Sequence, residues 1–401
     1  MSRETERKSR WRAPAALLAA ALAAGAAPGG ARAAEPAPLP PRPFVRGGIY
    51  DRPFIAREIG RTRFGGYAET AFRYEREEGV KEELSFGVER FNLFAFAPVS
   101  ERVRLVSEIE FEEGGEEVKI ELAIIDFEIH TALVFRGGIL LSPLGRFNIA
   151  HDSPANEVND RPLVSTQIIP TTLSEAGMGF YGALYPGARS RVTYEVYAVN
   201  GFHEGLIEES PDGTRIALGK SNFEDNNAHP SIVGRVAASP TPALEIGLSA
   251  HAGPYNVYRV EGLDVDERRD LTILAADVDW TWRRFGFLGE YAEASIDVPA
   301  ASGGLFARNQ RGFYLQGRAR FLEDAFTTLP GSWFTAVTRY DLVDFDADRR
   351  GDSARRLTLG LNLRPTSETV FKLDYFHQWV RDRFDVETRG AGIILGAASY
   401  F

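Results

Sequence analysis

The stretch RRLTLGLNLRPTSE, residues 355–368, alternates leucines with polar and charged residues and then breaks at a Pro-containing turn. Leu357 and Leu359 fall on one face of an extended chain, because successive side chains of a β-strand point to opposite sides. Arg356 and Asn362 fall on the other face. Such a strand separates an apolar environment from a polar one.

The same alternation recurs in GFYLQGRARF at 312–321 and ERVRLVSEIEFE at 101–112. Segments with this period follow one another from Thr62 to the C-terminus. Many of them approach the roughly nine to eleven residues that cross a bilayer at a tilt. We predict sixteen strands, at 62–75, 84–97, 101–113, 117–129, 132–141, 176–186, 190–200, 229–239, 243–253, 270–283, 285–297, 309–322, 332–345, 354–364, 369–380 and 388–401.

The connections between these segments alternate in length. Those after most even-numbered segments are tight, and most of the others are longer and polar or charged; the connections after the third and twelfth segments are exceptions. Short turns on one side and long loops on the other are typical of an outer-membrane barrel, and closure removes exposed sheet edges. A soluble sandwich would also bury the apolar faces. Strand length, charged faces and loop asymmetry favour an all-β fold, a transmembrane antiparallel β-barrel of sixteen strands.

The composition excludes several classes of function. Hydrophobic residues make up 44% of the 401 residues, which excludes a bundle of apolar spanning helices. The chain has no cysteine, so disulfides, iron–sulfur clusters and thiol chemistry are excluded. Its formal net charge of −10 argues against nucleic acid as a partner.

The N-terminus is predicted to be processed. Residues 1–33 combine a basic start, a short run of mainly Ala and Leu, and the small-residue site Ala31-Arg32-Ala33, which together indicate a secretory signal peptide. Residues 34–61 are a Pro-rich leader, extended and mobile to about Phe44. Residues 62–401 form the barrel. We therefore expect export to the cell outer membrane.

Five stretches together resemble the phosphate-selective porin family of Gram-negative outer membranes. They are RGGILLSPLGRFN (136–148), YEVYAVNG (194–201), SIVGRVAASP (231–240), FTAVTRYDLVDF (334–345) and LTLGLNLRPTSETVFKLDYFHQ (357–378). The resemblance implies a trimeric diffusion channel whose third loop narrows the pore. The phosphate selectivity of that family is attributed to a lysine cluster and an arginine ladder, whereas this chain has five lysines and none in its third loop.

The third long connection, residues 142–175, is the longest, and loops of more than about 12–15 residues usually have a functional reason or are disordered. Apolar residues such as Phe147 and Ile169 require burial, and four prolines stiffen the loop. We predict that it folds into the lumen and forms the pore constriction. Its polar lining is expected to be Arg146, His151, Asp152, Glu157, Asp160 and Arg161.

The run His151-Asp152-Ser153 contains the residue types of a nucleophilic triad. Adjacent residues of an extended loop point in different directions, and the spacing of His151, Asp152 and Asp160 matches no metal-ligand motif. We therefore expect no catalytic residue, no metal and no cofactor. We expect His151 to donate a hydrogen bond that fixes the loop, and Asp160 and Arg161 to form an ion pair that holds it to the wall.

The inward faces of several strands carry charged residues. Either they are solvated lumen residues that pair with one another, or a basic wall faces acidic groups and sets up a transverse field. The predicted lumen wall comprises Arg102, Arg104, Glu108, Glu110, Arg318, Arg320, Arg339 and Asp341.

The last segment ends in Phe401, which resembles the terminal aromatic signal for outer-membrane assembly. We expect partners to be outer-membrane lipid, the assembly machinery, two further copies in a homotrimer, and small hydrophilic solutes or ions, including phosphate and other anions. The predicted function is a porin. The alternatives are a barrel enzyme, such as a protease or phospholipase, and a plugged structural or adhesive barrel.

Overall fold

Alternating burial along the chain produces a closed β-barrel. The computed structural model describes residues 48–52, 57–59, 62–208, 213–220, 223–299 and 304–401. These described residues form one compact unit. The predicted signal peptide, and most of the predicted leader, lie outside the described residues.

Nineteen strands occur in the described ranges, and sixteen of them form the wall. In chain order they are β1 (Arg57–Ile59), β2 (Thr62–Glu77), β3 (Val80–Pro98), β4 (Val103–Glu112), β5 (Glu117–His130), β6 (Leu133–Leu141), β7 (Ser174–Gly187), β8 (Ser190–Val199), β9 (Ser231–Thr241), β10 (Leu244–Pro254), β11 (Arg259–Val260), β12 (Leu263–Asp264), β13 (Asp270–Trp282), β14 (Phe285–Ile296), β15 (Asn309–Phe321), β16 (Trp333–Asp344), β17 (Ser353–Arg364), β18 (Thr369–Arg381) and β19 (Glu387–Tyr400).

The wall consists of β2–β10 and β13–β19, each antiparallel to its neighbours. The sheet closes where β19 pairs with β2, from Tyr400 opposite Tyr67 to Gly390 opposite Glu77. The short β1 also pairs with β2, and β11 and β12 form a separate small hairpin. The predicted sixteen-stranded antiparallel barrel is confirmed.

The period-two faces are also confirmed. On β17, Leu357 and Leu359 are exposed on the outer surface, whereas Thr358 and Asn362 are buried inside. The physical cause is the pleat, which sends alternate side chains into the lumen and away from it.

The loops alternate in length as predicted, with one difference. The connection between β2 and β3 is only residues 78–79, because the two strands keep pairing as far as Glu77 opposite Val80. The prediction had begun the second strand at 84. The connection between β15 and β16, residues 322–332, is longer than the other turns at its end of the barrel, as predicted.

The longest of the described connections is 142–173, called L3 below, and it folds into the lumen as predicted. It contains two single-turn helices, α1 (Arg146–Ile149) and α2 (Val164–Gln167). The next long loop, residues 200–230 (L4), contains α3 (Gly205–Glu208) and a 3-10 turn at Ile216–Gly219; another 3-10 turn is Glu113–Gly115. None of the described helices is long and apolar enough to cross a membrane.

Apolar residues of L3 build a core inside the barrel. Val164, Ile168 and Ile169 are fully buried, and they belong to one cluster with Ile273 of β13 and Val343 of β16. The predicted burial of the loop's apolar residues is therefore confirmed, and it holds the loop against the inner wall.

Candidate pore constriction

L3 enters the lumen through a turn at Gly145. This residue has a φ of +68°, and its N–H donates to Ser249 Oγ at 2.8 Å. A Cβ atom here would lie 2.7 Å from Ile169 Cδ1 and 2.8 Å from Glu290 Oε2. The turn therefore requires glycine both for its left-handed backbone and for the close approach of the loop to the wall. The neighbouring Arg146 pairs with Asp279 of β13 at 2.9 Å.

The tip of L3 is bound to the wall through Asp160. Its carboxylate accepts hydrogen bonds from Arg73 of β2 at 2.9 Å and from Arg356 of β17 at 2.8 Å. Arg339 of β16 donates to the backbone carbonyl of Asp160 at 2.8 Å. Burial by itself raises the pKa of the Asp160 carboxyl, whereas the nearby Arg356 and Arg73 lower it. The effect of the two arginines is the larger one, so the pKa is below its ordinary value.

Glu157 forms a second attachment. It pairs with Arg318 of β15 at 3.1 Å and with Arg364 of β17 at 3.3 Å, and Asn362 donates to its carboxylate at 2.8 Å. Burial raises the pKa of Glu157, but Arg364 and Arg318 reverse that effect, and the net pKa is lowered. The loop's acidic groups therefore bind the wall arginines instead of facing them across water.

Asp160 and Arg161 were predicted to form an ion pair that holds the loop to the wall, and only Asp160 pairs with wall residues. Asp160 pairs with two wall arginines, whereas Arg161 donates to the Thr171 carbonyl within L3 at 3.1 Å. Among the described residues, no carboxylate pairs with Arg161. Burial and the neighbouring Arg90 lower the pKa of its guanidinium.

The three residues His151, Asp152 and Ser153 diverge. His151 Nδ1 lies 2.9 Å from the Asn148 carbonyl, as predicted for a residue that fixes the loop, and its Nε2 lies 3.1 Å from Glu121. Asp152 accepts from Tyr400 at 3.0 Å, and Ser153 donates to Glu69 at 2.5 Å.

Each of the three side chains is therefore bonded to a different part of the molecule, and no relay from Ser to His to Asp is formed. Within the described ranges, no group of three or more His, Asp or Glu residues is arranged to hold a metal ion.

Most of the residues predicted to line the lumen wall lie inside the barrel. Arg104 pairs with Glu128 at 2.5 Å, and Arg339 pairs with Asp341 at 2.9 Å. Arg104 and Arg339 are only 1% and 2% exposed, since Tyr50 of the N-terminal segment lies beside Arg104 and L3 contacts Arg339. Glu108 and Glu110 also face inward and are buried.

Two predicted wall residues lie elsewhere. Arg102 is in the exposed turn 99–102, because β4 begins only at Val103; its assignment to the lumen wall was wrong. Arg320 is at the short-turn mouth, where it pairs with Glu323 at 3.0 Å and lies 4.0 Å from the Trp333 ring centroid.

The N-terminal segment 48–52 folds inward, which was not predicted from the sequence. Tyr50 donates a hydrogen bond to Asp126 of β5, and Arg136 of β6 lies 5.7 Å from the Tyr50 ring centroid. Arg52 pairs with Glu108 and, at 2.6 Å, with Asp152 of L3. No local pattern in the leader signals these contacts, because each partner comes from a distant strand.

A polar cavity lies beside L3. Its lining combines acidic and basic groups: Glu110, Glu112, Lys119, Glu121, Arg161, Thr171, Thr172, Ser174 and Lys220. Lys220 comes from L4 and donates to the Thr172 carbonyl at 3.1 Å. Burial and the nearby Lys119 lower the pKa of Lys220.

Comparison with known proteins places the chain by its fold. No protein-family model matches it. A relative from Aquifex aeolicus (strain VF5), described as an uncharacterized protein, is 25% identical over 353 residues, which are 82% of this chain and 78% of the relative.

Several solved structures share the fold. The outer membrane channel DcaP of Acinetobacter baumannii superposes with a TM-score of 0.58 at 12% identity, over 85% of this chain and 97% of that one. An anion-selective porin from Comamonas acidovorans gives 0.54 at 13% identity, over 85% and 99%. OmpT of Vibrio cholerae in its trimer form gives 0.51 at 13% identity, over 85% and 100%. At these identities the likeness shows that the chain has the fold of outer-membrane porins.

Proposed function

We propose that this protein is a passive diffusion channel of the outer membrane for small hydrophilic solutes. The observation that carries the proposal is the docking of L3 inside a closed sixteen-stranded barrel, where Asp160 and Glu157 are bound to wall arginines. A charged lumen with an inward loop supports selection by width and charge, without a chemical step.

The outer surface supports a membrane location. Aliphatic and aromatic side chains are exposed around the wall, among them Leu359, Ile232 and Leu248, the last of which is 64% exposed. Lipid is the environment that would cover such a surface without cost, since apolar area in water is unfavourable. The predicted signal peptide supports export to that membrane.

The absence of an enzymatic activity is part of the proposal. The divergence of His151, Asp152 and Ser153 supports it, because the barrel enzyme weighed above requires these groups to converge. A hydrolase assay with the purified protein tests this point, and turnover that is lost in His151→Ala would contradict it.

We also propose a homotrimer. The trimer form of OmpT from Vibrio cholerae supports this, and so does an apolar groove on the outer wall lined by Phe86, Phe334, Leu361, Phe371 and Leu395. Chemical cross-linking of the folded protein should give a trimer, and Phe86→Asp should weaken it. A monomer under all conditions would contradict the proposal.

A preference for phosphate or other anions is a second candidate. It is favoured by Arg161 and Lys220, two basic groups beside the polar cavity that form no ion pair with any described residue. If phosphate binds there, it should block chloride current, and the double variant Arg161→Gln/Lys220→Gln should abolish the block. Equal currents with and without phosphate would contradict this selectivity.

The plugged barrel is the alternative that a specific observation supports. Residues 48–52 cover Arg104 through Tyr50, and L3 covers Arg339 through the Asp160 carbonyl. Recording in a planar lipid bilayer under a salt gradient separates the two functions. Discrete conductance steps support the channel, and their absence in correctly folded protein would favour the plug.

A further inference from the structure

We infer that Glu108, Glu121 and Asp152 form a binding site for the guanidinium group of a permeating solute, and that the chain's own Arg52 occupies it. These three carboxylates are called the acidic cage. The inference rests on the proposed channel function and names a class of solute for it. It is carried by geometry on three separate elements, β4, β5 and L3.

The cage binds a guanidinium from several sides. Arg52 Nη1 pairs with Glu108, and its Nη2 lies 2.6 Å from Asp152 Oδ1 and 3.6 Å from Glu121 Oε1. The guanidinium carbon lies 4.7 Å from the centroid of the Phe94 ring. Forked charge-assisted hydrogen bonds and an aromatic face are the features that recognise guanidinium.

The carboxylates are oriented by groups other than Arg52. Asn92 donates to Glu108 at 2.7 Å and to Glu121 at 3.2 Å, and Tyr400 donates to Asp152 at 3.0 Å. These donors belong to the wall. The three carboxylates therefore have hydrogen-bond donors other than Arg52, as a site for an exchangeable ligand must.

Arg52 does not satisfy every polar group at the cage. The Tyr67 hydroxyl forms no hydrogen bond with any described residue, although the side chain is fully buried. Tyr67 packs there between Phe94 and Tyr400, with ring centroids 6.0 Å and 6.1 Å away. A buried hydroxyl without a partner is a group that a ligand bound at the cage would satisfy.

Arg52 sits on a segment that precedes the wall. Residues 48–52 are anchored by the side chains of Tyr50 and Arg52, and the backbone bond from Asp51 to the Gly48 carbonyl closes a turn within the segment. A solute with the same head group can compete for side-chain contacts of this kind. The segment thus occupies the site in the state described and blocks it.

The adjoining polar cavity defines the rest of the solute. Glu121 lines both the cage and that cavity, where Arg161 and Lys220 have no carboxylate partner among the described residues. A compound with a guanidinium at one end and a carboxylate at the other would satisfy both. L-arginine is the probe of this class.

The test uses the full chain in planar bilayers. Arg52→Gln removes the competing cation and keeps a polar side chain at this position. We expect this variant to conduct and to be blocked by L-arginine at a concentration at least about tenfold lower than the wild type, whereas citrulline, its neutral isostere, should not block. Adding Asp152→Asn should weaken the arginine block by about tenfold or more.

Arg350→Gln is the matched control, since the Arg350 side chain is 82% exposed on the loop 345–352, away from the cage. If Arg52→Gln does not fold, Arg52→Lys replaces it and should be blocked by arginine at an intermediate concentration. A conducting variant on which arginine and citrulline act alike would overturn the guanidinium site and leave the channel standing. Folded wild type and variants that all fail to conduct would overturn the channel itself.

Discussion

The Asp160 carboxylate and the Arg356 guanidinium are joined by a 2.8 Å ion pair, which fastens the tip of L3 to β17. L3 is inserted between β6 and β7, on the side of the barrel opposite β17. The loop therefore crosses the lumen, and its attachment on the far side sets the width that remains.

Arg356→Gln should loosen this attachment. The substitution leaves Asp160 with Arg73 as its remaining ion-pair partner, and the loss should reduce the free energy of loop docking by about 1–3 kcal/mol. We expect a larger single-channel conductance, and a larger one still in Arg73→Gln/Arg356→Gln. Arg350→Gln is the control, and unchanged conductance in the folded double variant would contradict the role of Asp160.

Deleting residues 150–166 should enlarge single-channel conductance further. The deletion removes Asp152, Glu157 and Asp160, and thus the ion pairs that bind L3 across the lumen. Deletion of the β11–β12 hairpin, residues 259–264, is the control, because that hairpin forms its own small sheet. A correctly folded 150–166 deletion with wild-type conductance would reject the constriction.

Acid should release L3. The pKa of both Glu157 and Asp160 is lowered in the folded protein, so their contribution to loop docking is present above their ordinary pKa values and is lost as the pH falls through the lowered ones. Conductance should therefore rise as the pH falls below about 4, the ordinary pKa range of these carboxyls. The rise should be weaker in Glu157→Gln/Asp160→Asn, whose loop is already loosened, and a pH profile identical to wild type would contradict this cause.

Gly145→Val should destabilise the entry of L3 into the lumen. The new side chain would meet Ile169 and Glu290 at less than van der Waals distance, and the positive φ would be strained, at a cost of roughly 1–3 kcal/mol. Urea unfolding in detergent should show the loss. Gly79→Val is the control for backbone strain alone, since Gly79 also has a positive φ but a Cβ there meets no atom. Equal losses in the two variants would show that packing at Gly145 contributes nothing.

Phe401→Ala should reduce assembly. The Phe401 ring stacks on Phe91 with centroids 5.5 Å apart, and its N–H donates to the Gly66 carbonyl at 3.0 Å. Loss of the aromatic pair should cost about 1 kcal/mol and lower the folded fraction in the membrane. Phe384→Ala, on an exposed loop ring, is the control. Equal folded fractions in both variants would contradict a special role for Phe401.

The strands of this protein were predictable because their signal is local. The alternation around Leu357 and Leu359 identifies the outer face of the strand within five residues of sequence, and the same period recurs around the wall. The long third loop was predictable as well, since its apolar residues require burial and only the lumen offers it.

The partners of the charged residues were not predictable in the same way. Asp160 and Arg356 are 196 positions apart, and Arg52 and Glu108 are 56 apart. Arg102 shows what a local pattern cannot predict. The alternation continues into the turn before β4, and nothing in the pattern marks where the strand begins.

The sequence by itself therefore determined the strand period, the sixteen-stranded barrel and the inward loop, because each follows from where apolar side chains can be buried. Only the tertiary structure decided that the loop's acidic groups bind wall arginines, and that residues 48–52 enter the lumen. Those choices depend on which charges the closed barrel brings within hydrogen-bond distance, since a buried charge is tolerated only beside its partner.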